Sequence, residues 1–183
     1  MVEDATRAYE AEDHARALEA TESFFWTFCD DYLELAKERA YDAGDPDGRL
    51  SAITALRLAL DALLRLLAPV LPFAADEAWS WSHPGSVHTA SWPEPTGAEG
   101  DPALLPAIGE ALIGIRRAKT DAKVSQKAPV ASARITGPEH LVALLALAAG
   151  DVRSAGRIDT LSFESGESTI DVTDVVLKPA ETA

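Results

Sequence analysis

The sequence holds one cysteine, Cys29, in 183 residues, so no internal disulfide can form. A reducing compartment, the cytoplasm, is the setting this fits. There is no asparagine, while alanine is abundant, a pattern of GC-rich codon usage that carries no functional information. No apolar run reaches the roughly 18 residues that would mark a membrane-spanning helix. Met1 leads straight into VEDATRAYEAED, which is acidic and polar, unlike a secretory signal or transit peptide. Positive charge is scarce: 16 Lys and Arg stand against 30 Asp and Glu, a formal net charge of -14. Taken globally, such a polyanion repels nucleic acid. What is present is the composition of a soluble globular protein, with length enough for one large domain or two small ones.

Several chemistries lack their signatures. His14, His83, His88 and His140 show no i,i+4 pairing, no HExxH and no Glu-x-x-His, which argues against a metal centre. No GxSxG accompanies the single cysteine, so a nucleophilic triad has no local mark. Phosphate loops of the GxxxxGK[ST] and GxGxxG types are absent. The carboxylate pairs Asp30–Asp31 and Asp76–Glu77 lie in helical stretches and read as solvated faces. KVSQK at 123–127 is similar to the KMSKS loop of class I aminoacyl-tRNA synthetases, but it is followed by APV and has no HIGH-type partner, so it is rejected as an active-site loop.

The charge is unevenly spread. Residues 1–102 carry 7 basic and 20 acidic side chains, a balance of -13, whereas residues 103–183 carry 9 and 10, a balance of -1. Within 103–134, Arg116, Arg117, Lys119, Lys123, Lys127 and Arg134 face only Glu110 and Asp121. Such a basic arc is either a solvated helix face or a contact for a phosphate backbone.

Helical periodicity dominates the first half. Asp13 is a candidate N-cap, and no Pro or Gly interrupts the chain from there to Tyr41. On a helical wheel Leu18, Phe25, Phe28, Cys29, Tyr32, Leu35 and Ala36 share an apolar arc about twice the width of an ordinary amphipathic stripe. That predicts one central bundle helix of roughly 28 residues and about 42 Å, with most aromatics and Cys29 in the core. Trp26 and Lys37 fall at the edge of the arc, where a flat ligand could reach them. A turn at GDPDG (44–48) precedes a Leu-rich helix ending at Pro69, then a short helix over about 73–81. Residues 86–92 read as extended. The acidic, Pro- and Gly-rich stretch 93–102 is a linker, with the boundary drawn at 95–102. Beyond it, a helix over about 103–122, a strand at 129–136, a helix at 138–150 stopped by Gly150, and strands at 158–165 and 168–177 predict a small α+β unit. The fold class is therefore mainly α: a helical bundle over 1–94 and a small α+β subdomain over 103–183.

Four stretches carry a family resemblance. FFWTFCDDYLELAK (24–37) resembles the F-W-x-x-F-C-D-x-Y-L-E-x-x-K signature of valyl-tRNA synthetases. LLRLLAPVLPFAADEAW (63–79) is similar to that family's L-L-H-P-x-x-P-F-x-x-E-x-W segment, and SVHTASWP (86–93) to its S-[IV]-H-x-x-x-W-P. IRRAKTDAKVSQKAPV (115–130) resembles its later I-R-x-x-K…K-x-P-V stretch. The motifs occur in family order and cover most of residues 14–130. The resemblance implies the C-terminal part of such an enzyme: an anticodon-binding helical bundle, lacking most of its first helix, and a small C-terminal subdomain, without the catalytic and editing domains. Many family members carry a long coiled-coil arm; VVLKPAETA shows no heptads, so the expectation is that the arm is either absent from this type or replaced by the short α+β unit.

The implied function is recognition of the anticodon stem-loop of a valine tRNA, in an enzyme that uses ATP with Mg to ligate valine to that tRNA. No cofactor is implied for this chain, and its other partners would be the remaining domains of the synthetase. Single-stranded RNA loops are read by stacking bases on aromatics and by hydrogen bonds to their edges. Trp26, Phe28, Tyr32 and Lys37 are the candidate stackers and donors. Arg116, Arg117, Lys119, Lys123 and Lys127 are the candidate phosphate contacts. Two other readings stand beside this one: the same domain of an isoleucyl-tRNA synthetase, and a helical protein-interaction module with no RNA role.

Overall fold

The structure is a computed structural model that describes residues 1–97, 99–166 and 168–179. The chain forms two compact units, one from Met1–Leu33 with Arg39–Glu99, the other from Glu34–Glu38 with the residues from Gly100 onward. The architecture is mainly α, with a three-stranded sheet in the second unit.

Helices α1 (Val2–Glu10), α2 (His14–Thr27), α4 (Pro46–Leu67) and α5 (Pro72–Ser80) build the first unit. Asp13 caps α2 by accepting from Arg16 N–H at 3.0 Å. Asp45 caps α4 by accepting from Gly48 N–H at 3.0 Å, with Pro46 opening the helix, where a missing N–H costs nothing. Leu64 and Ala68 pack with Ala75, Trp79 and Val87 as a buried cluster. From the stretch 86–93, Val87 belongs to this cluster and Ala90 packs against it. Ser86 Oγ–H and Val87 N–H both donate to Asp76 Oδ1, at 2.6 and 3.0 Å. Those two bonds hold the Asp76 carboxyl below the usual carboxylate range. His88 Nε2 lies 3.2 Å from Pro72 O; a carbonyl only accepts, so the proton belongs on that nitrogen. Trp92 Nε1–H donates to Thr6 Oγ1 at 2.8 Å, and its ring meets Tyr9 edge to face. The side chains that make 72–79 and 86–93 recognisable thus hold the scaffold together. Residues 86–92, expected to be extended, instead include a 3-10 turn at Val87–Thr89, because the two donors to Asp76 curl the backbone around one carboxylate.

The expected single helix from Asp13 to Tyr41 is interrupted. A π turn spans Phe28–Tyr32, with Leu33 N–H donating to Phe28 O five residues back, before α3 (Leu33–Tyr41) resumes. A π turn inserts one extra residue, so the face advances by roughly 100°. The apolar arc drawn on one wheel therefore splits. Ala17 and Thr21 are buried before the turn, and Leu35 and Ala36 after it. Phe24, Phe25, Phe28, Cys29 and Tyr32 are only half-buried, which corrects the expectation of an aromatic core.

In the second unit α6 (Leu104–Asp121), α7 (Glu139–Leu147) and α8 (Ala149–Gly156) accompany β1 (Val130–Gly137), β2 (Ile158–Ser165) and β3 (Asp171–Leu177). The sheet order is β2-β1-β3, parallel between β1 and β2 and antiparallel between β1 and β3. The last two strands thus flank β1 and do not pair with each other. Ala107, Ile108, Ala111 and Leu112 of α6 bury against Leu35, Ile135, Leu145 and Val152. At Gly114 an added Cβ would lie 2.5 Å from Val172 Cγ2, so α6 approaches β3 where only glycine fits. Gly150 does not stop a helix as expected. The break falls at Ala148, and Gly150 lies inside α8.

Candidate nucleic-acid interface

The aromatic candidates belong to the first unit. Successive residues at i,i+4 across the π turn form a ladder: Phe24 stacks on Phe28 at 5.9 Å and 18°, and Phe28 on Tyr32 at 5.7 Å and 21°. These rings satisfy one another, so only the ends of the ladder are open to a further flat group. Trp26 stands off this ladder. It meets Phe25 edge to face at 5.3 Å and keeps 55% of its surface exposed. Phe24, which sequence reasoning did not single out, also lines an apolar groove of about 450 Å³ with Val2, Ala55, Leu58, Ala59 and Ala62.

Lys37 lies in the 34–38 segment that clusters with the second unit. Its ammonium is 3.8 Å from Glu34, one turn earlier, with both side chains mostly in solvent. Such a pair is weak and leaves the ammonium available to a stronger acceptor.

The basic candidates sit at the C-terminal end of α6 and on the loop after it. Arg116, Arg117, Lys123 and Lys127 are exposed. Lys119 is not: it is 2% exposed, and its ammonium donates to Gln126 O at 3.1 Å and Gly156 O at 3.0 Å. Burial pushes it below the usual lysine range, and the nearby Arg157 cation adds to that shift. Both ammonium bonds point into the protein, so Lys119 does not belong with the phosphate contacts. The reason is helical spacing. Lys119 continues the buried stripe Ala111, Leu112, Ile115 at i+4 from Ile115, whereas Arg116 and Arg117 turn outward.

The loop beyond α6 is tightly specified. Lys123 N–H donates to Thr120 O at 2.9 Å and Val124 N–H to Lys119 O at 3.1 Å, a Schellman ending with Lys123 in the left-handed region at φ 55°. Gln126 Nε2–H reaches back to Arg116 O and Thr120 Oγ1 at 3.2 and 3.0 Å. Arg157 closes the loop from the far side, its Nη1–H donating to Lys127 O at 3.3 Å. KVSQK is therefore a rigid basic turn. Arg157 and Gln126 were missed in the sequence: Arg157 is 30 residues from Lys127 and meets it only through the β1–β2 pairing.

Residues 1–135 match the model of the anticodon-binding domain of tRNA ligases. The chain is 55% identical over 184 aligned positions to a valine–tRNA ligase of Leifsonia xyli, with 98% of this chain and 21% of that protein aligned. Valine–tRNA ligases of Cutibacterium acnes and Thermobifida fusca are each 47% identical, over 91% and 99% of this chain and 20% and 21% of theirs. The chain thus spans about a fifth of the length of the curated relatives it matches. Among the described residues no helix is long and apolar enough to cross a membrane. With the match extending over 135 of its 183 residues, the chain belongs to the anticodon-binding domain family of tRNA ligases.

Proposed function

We propose that the chain recognises the anticodon stem-loop of a valine tRNA as the non-catalytic C-terminal part of a cytoplasmic valine–tRNA ligase. The family match over residues 1–135 carries this reading, and the relatives' shared name supplies the amino acid. In it, residues 1–94 form the anticodon-binding bundle, 95–102 the linker and 103–183 the C-terminal subdomain. Valine activation with ATP, and transfer to the tRNA, belong to the rest of the ligase.

The physical roles follow from exposure. Trp26 offers an uncovered indole face, and Phe28 and Tyr32 offer a pre-stacked platform, which fixes ring orientation before a base arrives. Lys37, the last residue of the 24–37 motif, supplies a donor. Arg116, Arg117, Lys123 and Lys127 neutralise phosphates, and they do so in a protein whose remaining residues carry a large net negative charge. That acidic remainder repels the backbone wherever contact is not wanted and so orients the RNA.

Competition between anticodon hairpins of valine and isoleucine tRNAs tests the assignment. Preference for the valine hairpin is expected. Preference for isoleucine would move the chain to the isoleucyl enzyme, and no binding to either at low salt would favour a protein-interaction module. Incubation with valine, ATP and tRNA should give no charging.

A further inference from the structure

The cations of the second unit divide into two groups. Arg134 faces Glu164 and Asp174, and Lys178 faces Asp159. Among the described residues, Arg116, Arg117, Lys123, Lys127, Arg153 and Arg157 make no salt bridge. Three of these six, Lys123, Lys127 and Arg157, belong to one stitched loop.

We propose that Arg157 is a phosphate contact for RNA, acting with Lys123 and Lys127, and that Lys119 is the positioning residue that holds the three together. The proposal rests on the reading of this chain as an RNA binder and adds a residue from a different element. Arg157 is exposed at the C-terminal end of α8, at φ 55° and ψ 51°. One guanidinium N–H is spent on Lys127 O, which lays the planar group along the loop backbone and leaves its other donors for a bidentate hold on a phosphodiester. Lys119 ties both sides of this arrangement through one ammonium. Its bond to Gln126 O fixes the residue before Lys127, and its bond to Gly156 O fixes the residue before Arg157.

Two backbone details point the same way. Lys123 and Arg157 both occupy the left-handed region, where glycine is favoured and a side chain is strained. Cations held at both positions fit a site that needs their charge more than it needs an easy turn. The electrostatics also agree: Lys119 and Arg157 repel each other across the loop, and a bound anion offsets that repulsion.

The test uses the whole chain and a valine-tRNA anticodon hairpin, titrated at several salt concentrations. Arg157→Gly suits the left-handed backbone, so its melting temperature should not fall. Its affinity should drop about three- to tenfold at low salt, and the slope of log affinity against log salt should flatten by about 0.7–0.9, one phosphate contact. An unchanged slope would overturn the contact. For the positioning role, Arg157→Gly is repeated in Lys119→Met. The loss should shrink to about twofold or less, since the loop no longer presents Arg157; equal losses in both backgrounds would overturn it. Should Lys119→Met fail to fold, Gln126→Ala, an exposed side chain tying the same loop to Arg116 O, takes its place in the cycle. Wild-type chain that shows no salt-dependent binding refutes the RNA reading itself. Wild-type binding with an unaltered Arg157→Gly slope refutes only this inference.

Discussion

Trp26 is the side chain whose removal best separates binding from folding. More than half of its surface is open, so Trp26→Ala should leave the melting temperature nearly unchanged while costing about 1–3 kcal/mol of hairpin binding, the worth of one stacked base. Equal affinity of the variant in a hairpin titration would remove Trp26 from the interface. Asp76 behaves in the opposite way, as a scaffold residue. Its carboxyl is held below the ordinary range by Ser86 Oγ–H and Val87 N–H. A depressed carboxyl contributes stability that is complete above the unfolded-state value of about 4 and is lost as pH falls through the lower folded value. Ser86→Ala should therefore weaken the acid dependence of unfolding below about pH 4, read from denaturant melts across the acid range. An identical acid limb would mean that Ser86 does not stabilise the charge. Residue-level reading of the sequence succeeded for the cap Asp13, whose chemistry is local. It failed for Lys119, because a charge is ordinarily solvated and two carbonyls supplied from outside its own helix are what make its burial tolerable.

At the scale of elements, the π turn at Phe28–Tyr32 decides which faces are buried. Deleting Asp31 would restore a regular α-helix and turn α3 back by roughly 100°. Leu35, buried among Ala107, Ile108 and Ala111, would then leave its site. The expected cost is that of losing a core leucine, about 2–5 kcal/mol, seen as a lower midpoint in denaturant. A midpoint unchanged from wild type would show that the turn is incidental. Phe25, half-buried, should lose only about 1–2 kcal/mol on truncation to alanine, by the scale for apolar burial. Gly114→Ala should destabilise by about 1–3 kcal/mol, since its methyl meets Val172 on β3; a neutral result would mean that the strand gives way freely. Element types and most boundaries were legible because 3.6- and 2-residue periodicities are properties of contiguous sequence. The π turn was not, since a one-residue phase slip leaves every residue type helix-compatible and is set by what α3 packs against. The pairing of β2 and β3 with β1, and with it the arrival of Arg157 at Lys127, depends on contacts 30 residues apart and has no local mark.

For the whole molecule, family motifs and functional groups separate. Ser86, His88 and Trp92, which make 86–93 recognisable, bond to Asp76, Pro72 and Thr6 and hold the bundle. Trp26, Lys123, Lys127 and Arg157 face solvent and carry the proposed recognition. A motif match therefore located the family more directly than it located the contacts. The net charge of -14 adds a constraint on any RNA role. Attraction must come from the basic turn, so binding should fall steeply with salt, while discrimination must come from stacking, which salt affects little.

That separation makes one titration decisive for the claim that this chain reads an anticodon. Affinity for a valine-tRNA anticodon hairpin is compared with that for the same hairpin carrying a scrambled anticodon, at about 50 and 200 mM salt. The account predicts a preference for the cognate loop that persists at both salts while both affinities fall. Equal affinities at both salts would contradict it, leaving a basic turn that holds phosphates without reading the loop.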